Sequence, residues 1–216
     1  MADRDVEKRA AAEAAALLVR DGDRVGLGTG TTVAPMLPAL AARGLKLRCV
    51  ATSVATEATA RSLGLDVEPF ERLDRLDIAI DGADQIDPDG WLVKGGGGAH
   101  TREKVVARAA DRFVVIASAD KVVDRIGPAI PLELLRFGLA ATLAALGVAE
   151  IRPDTALSPD SGVIADYRAP FDDPAALSST LHATPGVVDH GLFPPSMVHG
   201  VIIGTDTGPE SPVRVG

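Results

Sequence analysis

Short apolar runs and segments of helical spacing alternate through the first half of the chain. The apolar runs predict buried strands and lie at 23–30, 45–52, 65–70, 75–81 and 112–118. The segments with helical spacing lie at 5–20, 32–43, 56–64 and 100–111. Strands that alternate with helices indicate a parallel sheet covered on both faces. The predicted fold class is therefore α/β, with a mostly parallel sheet and helices on both of its faces.

The second half of the chain has a different pattern. Its apolar segment 132–147 predicts a long helix that ends at Gly147. Strand-like segments and one more helix follow, at 148–153, 162–167, 173–183 (the helix) and 186–193. This order predicts a smaller α+β lobe over residues 128–197.

A last apolar run, at 197–206, is expected to return to the main sheet. Residues 1–127 and about 198–216 would then form one larger domain around this sheet. The end of the chain, "TDTGPESPVRVG", is expected to be loose.

Composition narrows the classes of protein that need to be considered. The chain has 216 residues, 46% of them hydrophobic and 24% charged, enough for one large domain with a smaller partner. The net charge of −8 argues against a nucleic-acid-binding surface, although local lysines and backbone N–H groups can still bind an anionic substrate. No window approaches ~18 apolar residues, so no membrane association is expected.

The single cysteine, Cys49, lies in the apolar run 45–52 and is expected to be a small buried hydrophobic residue. The first twenty residues lack the long apolar segment of a signal peptide. Together with the single cysteine, this indicates a cytoplasmic protein.

Polar segments follow three of the predicted parallel strands. They are "GTGTT", "TSVATE" and "DGAD". Loops at the carboxyl ends of parallel strands share one edge of an open sheet, where ligands bind. The three segments are therefore expected to meet around one crevice.

The glycine-threonine segment "GLGTGTT" resembles neither the dinucleotide fingerprint nor a Walker A loop. Its glycines let backbone N–H groups approach an anion, and the dipole of the following helix would add to the attraction. A phosphate site is predicted at Gly28, Thr29, Gly30, Thr31 and Thr32. The alternative is a plain strand-to-helix turn with a threonine cap.

The segment "TSVATE" offers a second set of hydroxyl groups, from Thr52, Ser53 and Thr56. These could also bind phosphate. They could equally cap a helix, with Glu57 in support.

Two carboxylates, Asp81 and Asp84, flank a Gly-Ala turn at a strand end. Carboxylates so close together can have their pKa values driven apart, which suits acid–base chemistry. The alternative is an Asx-type turn or cap. They could also hold Mg²⁺, but Lys94 would compete for them. Asp87 and Asp89 lie in "DPDG", which is typical of an ordinary surface turn.

Lys94 opens the glycine run that includes Gly95, Gly96 and Gly97. Such a run is conformationally permissive and supplies N–H donors, and a lysine there could stabilise a developing oxyanion. Glu103 lies in the first turn of the next predicted helix, where the dipole favours the ionised form that a base requires. The alternatives are a solvated lysine and an ordinary N-terminal helix charge. No metal site is expected, because the four histidines show no ligand spacing.

These motifs together resemble the A-type ribose-5-phosphate isomerase family. The matching segments are "GTGTT" at 28–32, "DGAD" at 81–84, "KGGGGAHTREK" at 94–104, "DK" at 120–121 and "GVVDHGLF". They occur in the order of the family and extend over nearly the whole chain. The resemblance implies an aldose–ketose isomerase that converts ribose 5-phosphate to ribulose 5-phosphate without a metal or organic cofactor. It also implies a Rossmann-like fold with a small lobe and a homodimer or homotetramer.

The resemblance also implies roles for individual residues. Glu103 matches the base that moves a proton between C2 and C1, and Lys94 matches the residue that stabilises the enediolate oxygen. Asp81 matches the carboxylate that helps to open the furanose ring, and Asp84 its partner in binding sugar hydroxyls. Lys8 and Lys121 match lysines near the phosphate, which the threonine loop would also bind.

Three positions depart from the family pattern. Gln85 stands where the family usually has Glu, and His100 where it usually has an apolar residue. Ser118-Ala119-Asp120 replaces the usual Asp-x-Ser before Lys121. His100 could perturb Glu103, and the added carboxylate of Asp120 could weaken the hold of Lys121 on phosphate.

Two other functions can be set against the isomerase. A sugar-phosphate sensor would keep the phosphate loop but could dispense with Glu103 and Lys94; it would normally need an output domain, for which the chain has no room. A deaminase of amino-sugar phosphates would need groups that act on an amine, and the sequence contains no motif for them.

Overall fold

The computed structural model describes residues 4–213, with side chains described up to residue 210. The described residues form two compact units. The first comprises the described residues up to Ala83, then Arg102–Val122, then those from Pro195 onward. The second comprises Asp84–Thr101 and Val123–Pro194. The division into a catalytic domain and a lobe at 128–197 stays a prediction.

The first unit is built on a mostly parallel sheet. Its strands are β1 (Arg24–Leu27), β2 (Arg48–Ala51), β3 (Ile78–Gly82), β6 (Phe113–Ser118), β12 (Gly200–Thr205) and β13 (Gly208–Val213). They lie in the order β13-β12-β6-β3-β1-β2, and every pairing is parallel except that of β12 with β13. The predicted α/β class is confirmed, as is the return of the last apolar run to this sheet.

The helices of the first unit are α1 (Arg4–Ala16), α2 (Met36–Ala41), α3 (Val54–Ser62) and most of α4 (His100–Ala109). Small side chains bring α1 close to the sheet. A Cβ added at Gly204 of β12 would overlap the carbonyl of Glu7 in α1. Cys49 is fully buried in this core, as predicted, and burial raises the pKa of its thiol to about 12.

The second unit contains two antiparallel sheets. One has the order β10-β7-β9-β8 and the other β11-β5-β4. The elements are β4 (Gln85–Ile86), β5 (Leu92–Val93), β7 (Ile130–Leu134), α5 (Leu139–Leu146), β8 (Ala149–Ile151), β9 (Val163–Tyr167), α6 (Pro174–Ala183), β10 (Val187–His190) and β11 (Leu192–Phe193). Its core includes residues of both sheets and of α6. The sequence predicted an α+β architecture for residues 128–197, most of which lie in this unit.

The predicted helix at 132–147 was wrong in its first half. Residues up to Leu134 form β7, in which all five residues are buried, and α5 begins only after Gly138. Gly138 has φ +71°, a left-handed conformation that separates the two elements. A continuous apolar run does not by its spacing distinguish a buried strand from a buried helix.

Other predicted bounds also need correction. The helix predicted at 5–20 ends at Ala16, and the helix predicted at 32–43 is confined to Met36–Ala41. Pro38 is tolerated in α2 because the first N–H groups of a helix have no partner within it.

Two further predictions were wrong at the edges of the main sheet. The strand predicted at 65–70 is reduced to a single bridge between Val67 and Cys49. The end of the chain, expected to be loose, forms β13 up to Val213; residues 214–216 lie outside the described residues. In the part of the chain that is described, no helix has the length and apolar character needed to cross a membrane.

Candidate active site

The loop after β1 is held by hydrogen bonds from neighbouring strand ends. The N–H of Gly28 donates to the carbonyl of Ile80 at 2.9 Å. The Thr29 hydroxyl lies 2.7 Å from the Thr52 hydroxyl, and the Thr56 hydroxyl donates to the Gly28 carbonyl at 3.0 Å. Thr52 and Thr56 therefore support the predicted phosphate loop.

The helix-cap interpretation of "TSVATE" is confirmed for Ser53. Ser53 is the N-cap of α3, and its hydroxyl accepts from the N–H of Thr56 at 3.2 Å. Ser53 thus caps the helix and Thr52 and Thr56 bond to the loop after β1, while binding of phosphate by these hydroxyls stays a prediction.

The expected helix N-terminus behind the phosphate loop is not there. The residues after Gly30 form a turn in which Ala34 donates to the Gly30 carbonyl at 3.1 Å, and α2 begins only at Met36. Thr31 is exposed and Thr32 is half-buried in this turn. At this loop an anion would be bound by hydroxyl and N–H groups of the turn rather than by the N-terminus of a helix.

Asp81 lies at the end of β3 and is only 3% exposed. Its Oδ1 accepts from the N–H of Thr29 at 3.0 Å and from the N–H of Gly82 at 2.7 Å. A Cβ added at Gly28 would overlap its carboxylate. The structure therefore brings Asp81 together with Gly28 and Thr29 of the predicted phosphate loop.

Three more predicted site residues belong to the first unit. Glu103 lies in the first turn of α4 and is 6% exposed. Lys8 is on α1, and Lys121 is in the turn Ala119–Lys121 that follows β6; both are half-buried. Lysine side chains in such positions retain the length to reach an anion while their alkyl chains pack against the protein.

The carboxylate of Asp120 already has partners. It accepts from the Ser118 hydroxyl and lies 3.7 Å from the Arg4 guanidinium. The Ser118 hydrogen bond lowers the pKa of Asp120, and the charges of Lys121 and Arg4 lower it further. The Asp120 carboxylate therefore interacts with Ser118 and Arg4 as well as with Lys121.

In the second unit, the hairpin of β4 and β5 carries Asp84 and Lys94 at its open end. The N–H of Asp84 donates to Val93 at 2.8 Å, and the N–H of Gly96 donates to Asp84 Oδ2 at 2.8 Å. Lys94 is 3% exposed; its N–H donates to Gly191 at 2.9 Å, and its Nζ lies 5.5 Å from the centre of the Phe193 ring. The structure thus brings Asp84 together with the glycine loop that follows Lys94.

The glycine loop packs directly on His100. Gly95 has φ +107°, and a Cβ added there would lie 2.7 Å from His100 Nδ1. His100 is fully buried at the start of α4. His100, which departs from the family pattern, therefore packs directly against the backbone of Gly95. Gly96 and Gly97 are exposed.

The second departure from the pattern, Gln85, has a clear structural role. Its Oε1 accepts from the N–H of Gly127 at 2.8 Å, and its Nε2 donates to the Gly127 carbonyl at 3.2 Å. The amide matches both groups of one backbone residue, which a carboxylate could not do because it only accepts.

Two residues near the glycine loop were missed by the sequence analysis. Arg152, just after β8, donates through Nη1 to the carbonyls of Gly95 and Gly96, and its other nitrogens bind Asp166 of β9. The only signal in the sequence is an arginine beside a short strand, and such residues are usually surface charges.

One cluster in the second unit has the composition of a metal site. The sequence showed no ligand spacing among the histidines, but the fold brings His182, Asp189 and His190 within 4.8 Å. The N–H of Leu192 donates to Nδ1 of His190 at 3.2 Å, so the neutral ring carries its proton on Nε2. That Nε2 lies 2.8 Å from His182 Nδ1. The structure thus brings together three potential metal ligands that the spacing of the histidines in the sequence did not indicate.

Comparison with known proteins agrees with the motifs. Residues 48–208 match the family model described as ribose 5-phosphate isomerase A (phosphoriboisomerase A). A ribose-5-phosphate isomerase A of Caulobacter vibrioides is 43% identical over 221 residues, which cover 94% of this chain and 96% of the relative.

Solved structures are similar over nearly the whole chain. The crystal structure of ribose 5 phosphate isomerase A from Neisseria gonorrhoeae has a TM-score of 0.93 and 29% identity, with 99% of each chain covered. A D-ribose-5-phosphate isomerase in complex with phospho-erythronic acid has a TM-score of 0.90 and 29% identity. It covers 97% of this chain and 98% of its own.

Proposed function

This chain belongs to the ribose-5-phosphate isomerase A family, and from that premise we propose which of its residues carry the reaction. The chain is an aldose–ketose isomerase that interconverts D-ribose 5-phosphate and D-ribulose 5-phosphate, a reaction of the pentose phosphate pathway. The observation that carries the proposal is that the residues matching the catalytic motifs, Asp81, Lys94 and Glu103, are each more than nine-tenths buried. Charged side chains are seldom so buried without a specific role.

Glu103 is the proposed base. Its carboxylate removes the proton from C2, and the electron pair forms the C1–C2 double bond of an enediolate as the C1 carbonyl oxygen becomes an oxyanion. The same group then delivers the proton to C1. Meanwhile the C2 hydroxyl loses its proton to the C1 oxygen and becomes the ketone. One residue that moves a proton between adjacent carbons needs no cofactor.

Lys94 is the proposed stabiliser of the enediolate oxygen. An ammonium group held away from water interacts strongly with a developing oxyanion because little solvent screens the two charges. The near-complete burial of Lys94 and the anchoring of its N–H on Gly191 support this role.

Asp81 is proposed to help open the furanose ring and Asp84 to bind sugar hydroxyls. Both carboxylates are oriented by backbone N–H groups, Asp81 by Thr29 and Gly82, and Asp84 by Gly96. A carboxylate has about four acceptor positions and can bind several donors at once, including a substrate hydroxyl. The exposed Gly97 is proposed to lie against the sugar with Gly95 and Gly96.

The phosphate group is proposed to bind the turn after β1, where Thr29, Thr31 and Thr32 supply hydroxyl groups and the flanking glycines supply N–H groups. Lys8 and Lys121 are the proposed cationic partners. Binding of the phosphate by these groups would orient the sugar for the proton transfer. The complex of a structural relative with phospho-erythronic acid supports a phosphorylated ligand.

One experiment tests the proposed reaction. Chelator-treated protein is incubated with ribose 5-phosphate that carries deuterium at C2, and ketose formation is followed with the loss of the deuterium to solvent. Ketose formation in the absence of metal is expected, with partial exchange. If no ketose forms under any condition, a sugar-phosphate-binding role replaces the isomerase.

We further propose that the active form is a homodimer or homotetramer. Large apolar side chains are exposed on the second unit, among them Phe137 at 92%. The neighbouring helix α5 is apolar along almost its whole length, yet only Thr142 in it is fully buried. Apolar surfaces of this kind are typical of contacts between copies of a chain. Light scattering should give a multiple of the chain mass, and Phe137→Ser should lower it.

A cytoplasmic location is proposed as well. The single cysteine of the chain is a buried thiol in the main sheet, a pattern of cysteine use typical of proteins in reducing compartments.

A further inference from the structure

One guanidinium group in the second unit contacts the glycine loop through two carbonyl oxygens. Arg152 Nη1 donates to the Gly95 carbonyl at 2.9 Å and to the Gly96 carbonyl at 3.0 Å. Carbonyls in irregular loops are more often satisfied by solvent or by neighbouring N–H groups. The Gly95 carbonyl does accept from the N–H of Gly98 at 3.0 Å, and the guanidinium adds a permanent positive charge to it and to the Gly96 carbonyl.

Arg152 is itself held in one orientation. Its Nε and Nη2 form a two-pronged pair with the Asp166 carboxylate, at 3.0 and 2.7 Å. The side chains of Arg152 and Asp166 are only 16% and 10% exposed. A bidentate pair fixes the plane of the guanidinium, so the remaining nitrogen can point only at the loop.

The peptide unit between Gly95 and Gly96 connects this pair to Asp84. Its carbonyl accepts from Arg152, and its N–H donates to Asp84 Oδ2 at 2.8 Å. Because a peptide unit is planar, fixing the direction of the carbonyl also fixes the direction of the N–H. A glycine run has little conformational preference of its own, so the hydrogen bonds from Gly98 and from Arg152 together select this orientation.

We propose that Arg152 is a positioning residue for the isomerase reaction. It holds the Gly95–Gly96 peptide so that the N–H of Gly96 orients Asp84 towards the sugar, and Asp166 orients Arg152 in turn. The inference rests on the proposed function, since it assigns Asp84 to sugar binding. Hydrogen bonds thus connect four groups in series, namely the Asp166 carboxylate, the Arg152 guanidinium, the Gly95–Gly96 peptide and the Asp84 carboxylate.

The neighbouring Arg168 provides a matched control. It also lies near Asp166, with Nη2 at 3.8 Å, and it pairs with Glu150 at 2.6 Å. Its hydrogen bonds and ion pairs within residues 4–213 do not include the glycine loop. Replacing it alters the same cluster of charges without removing a loop contact.

The kinetic experiment compares Arg152→Met, Arg152→Lys and Arg168→Met. Arg152→Met is expected to raise KM and to lower kcat/KM by roughly 10- to 100-fold, the usual effect of losing a hydrogen bond to a charged group. Arg152→Lys should recover only part of the loss, because an ammonium cannot bind Asp166 in a fork and also reach two carbonyls. Arg168→Met should remain within about twofold of the wild type. Equal losses in Arg152→Met and Arg168→Met would overturn the proposal.

A double-mutant cycle separates positioning from general stabilisation. In an Asp84→Asn background, Arg152→Met should cost much less than in the wild type, because the carboxylate that it positions is already gone. If the two losses simply multiply, Arg152 does not act through Asp84. Should Arg152→Met fail to fold, Asp166→Asn tests the same arrangement, since it frees the guanidinium while retaining its charge.

A readout that needs no activity keeps this inference distinct from the proposed function. Amide hydrogen exchange of Gly96 is expected to be at least tenfold faster in Arg152→Met than in the wild type and unchanged in Arg168→Met. An inactive wild type with a protected Gly96 amide would reject the function but retain the positioning. An active wild type whose Gly96 exchange is the same in all variants would reject the positioning alone.

Discussion

The backbone of Gly28 passes directly against the carboxylate of Asp81. A Cβ built on Gly28 would overlap Cγ and Oδ1 of Asp81, the oxygen that accepts from the N–H of Thr29. The glycine of the predicted phosphate loop and the predicted ring-opening carboxylate are therefore packed as one unit. A side chain cannot be added at Gly28 without displacing the Asp81 carboxylate.

Gly28→Ala should therefore damage the site through Asp81. The added methyl group would push the carboxylate away from the Thr29 N–H, and kcat/KM should fall by about 10- to 100-fold. Gly200→Ala is the control, because a Cβ at Gly200 meets nothing within 4 Å. Steady-state kinetics of both variants, with melting temperatures, measure the effect. Wild-type kinetics in Gly28→Ala would show that the position of the Asp81 carboxylate against Gly28 does not matter for the reaction.

Glu103→Gln should separate binding from chemistry. The amide keeps the size of the side chain but cannot accept the C2 proton, so kcat should fall by ~10²–10⁴ while KM changes little. Glu57→Gln is a matched control, since Glu57 also lies in the first turn of a helix and pairs with Arg61 at its surface. Near-full activity in Glu103→Gln would remove Glu103 as the base.

The sequence predicted the first unit well because parallel strands buried on both faces are continuous apolar runs. β6 is an example, with all of its residues buried. The same property misled the prediction at 132–147, where β7 and α5 are both largely apolar and are separated only by residues 135–138, which end in the left-handed Gly138. Spacing cannot distinguish such elements; the pairing of β7 with β9 does.

The candidate site was predictable only where its chemistry is local in sequence. The motifs at 28–32, 81–84 and 94–104 each carry several polar groups in a short span. The place of Arg152 in the site was not predictable, because it depends on a contact with Gly95, which lies 57 residues away in the chain. The roles of the site residues stay predictions, which the variants described here test.

Lys94→Ala should reduce mainly kcat. Removing a buried donor that faces a developing oxyanion typically costs ~10²–10³ in rate, and the loss of stabilisation is specific to the enediolate-like transition state. The exposed Lys46→Ala is the control for loss of a positive charge. An effect confined to KM would instead assign Lys94 to substrate binding.

The ion pair of Arg24 and Asp77 makes part of the stability depend on pH. The hydrogen bond from the Arg24 side chain, followed by that from its backbone N–H, lowers the pKa of Asp77 from 3.8 to about 2. A carboxylate whose pKa is lower in the folded state stabilises that state above its unfolded pKa. This contribution is lost as the pH falls through the folded value. The side chain of Asp77 is 34% exposed, so solvent screening reduces the contribution to about 1 kcal/mol.

Asp77→Asn should therefore lower the free energy of unfolding by about 1 kcal/mol between pH 7 and pH 5, because Asn cannot form the charged pair with Arg24. The difference from the wild type should shrink as the pH falls from about 4 towards 2, where Asp77 itself becomes protonated. Urea titrations at pH 7, 5, 4 and 3 measure it, with the exposed Asp74→Asn as the control. A difference that stayed constant down to pH 3, or that matched Asp74→Asn, would show that the pair contributes nothing specific to stability.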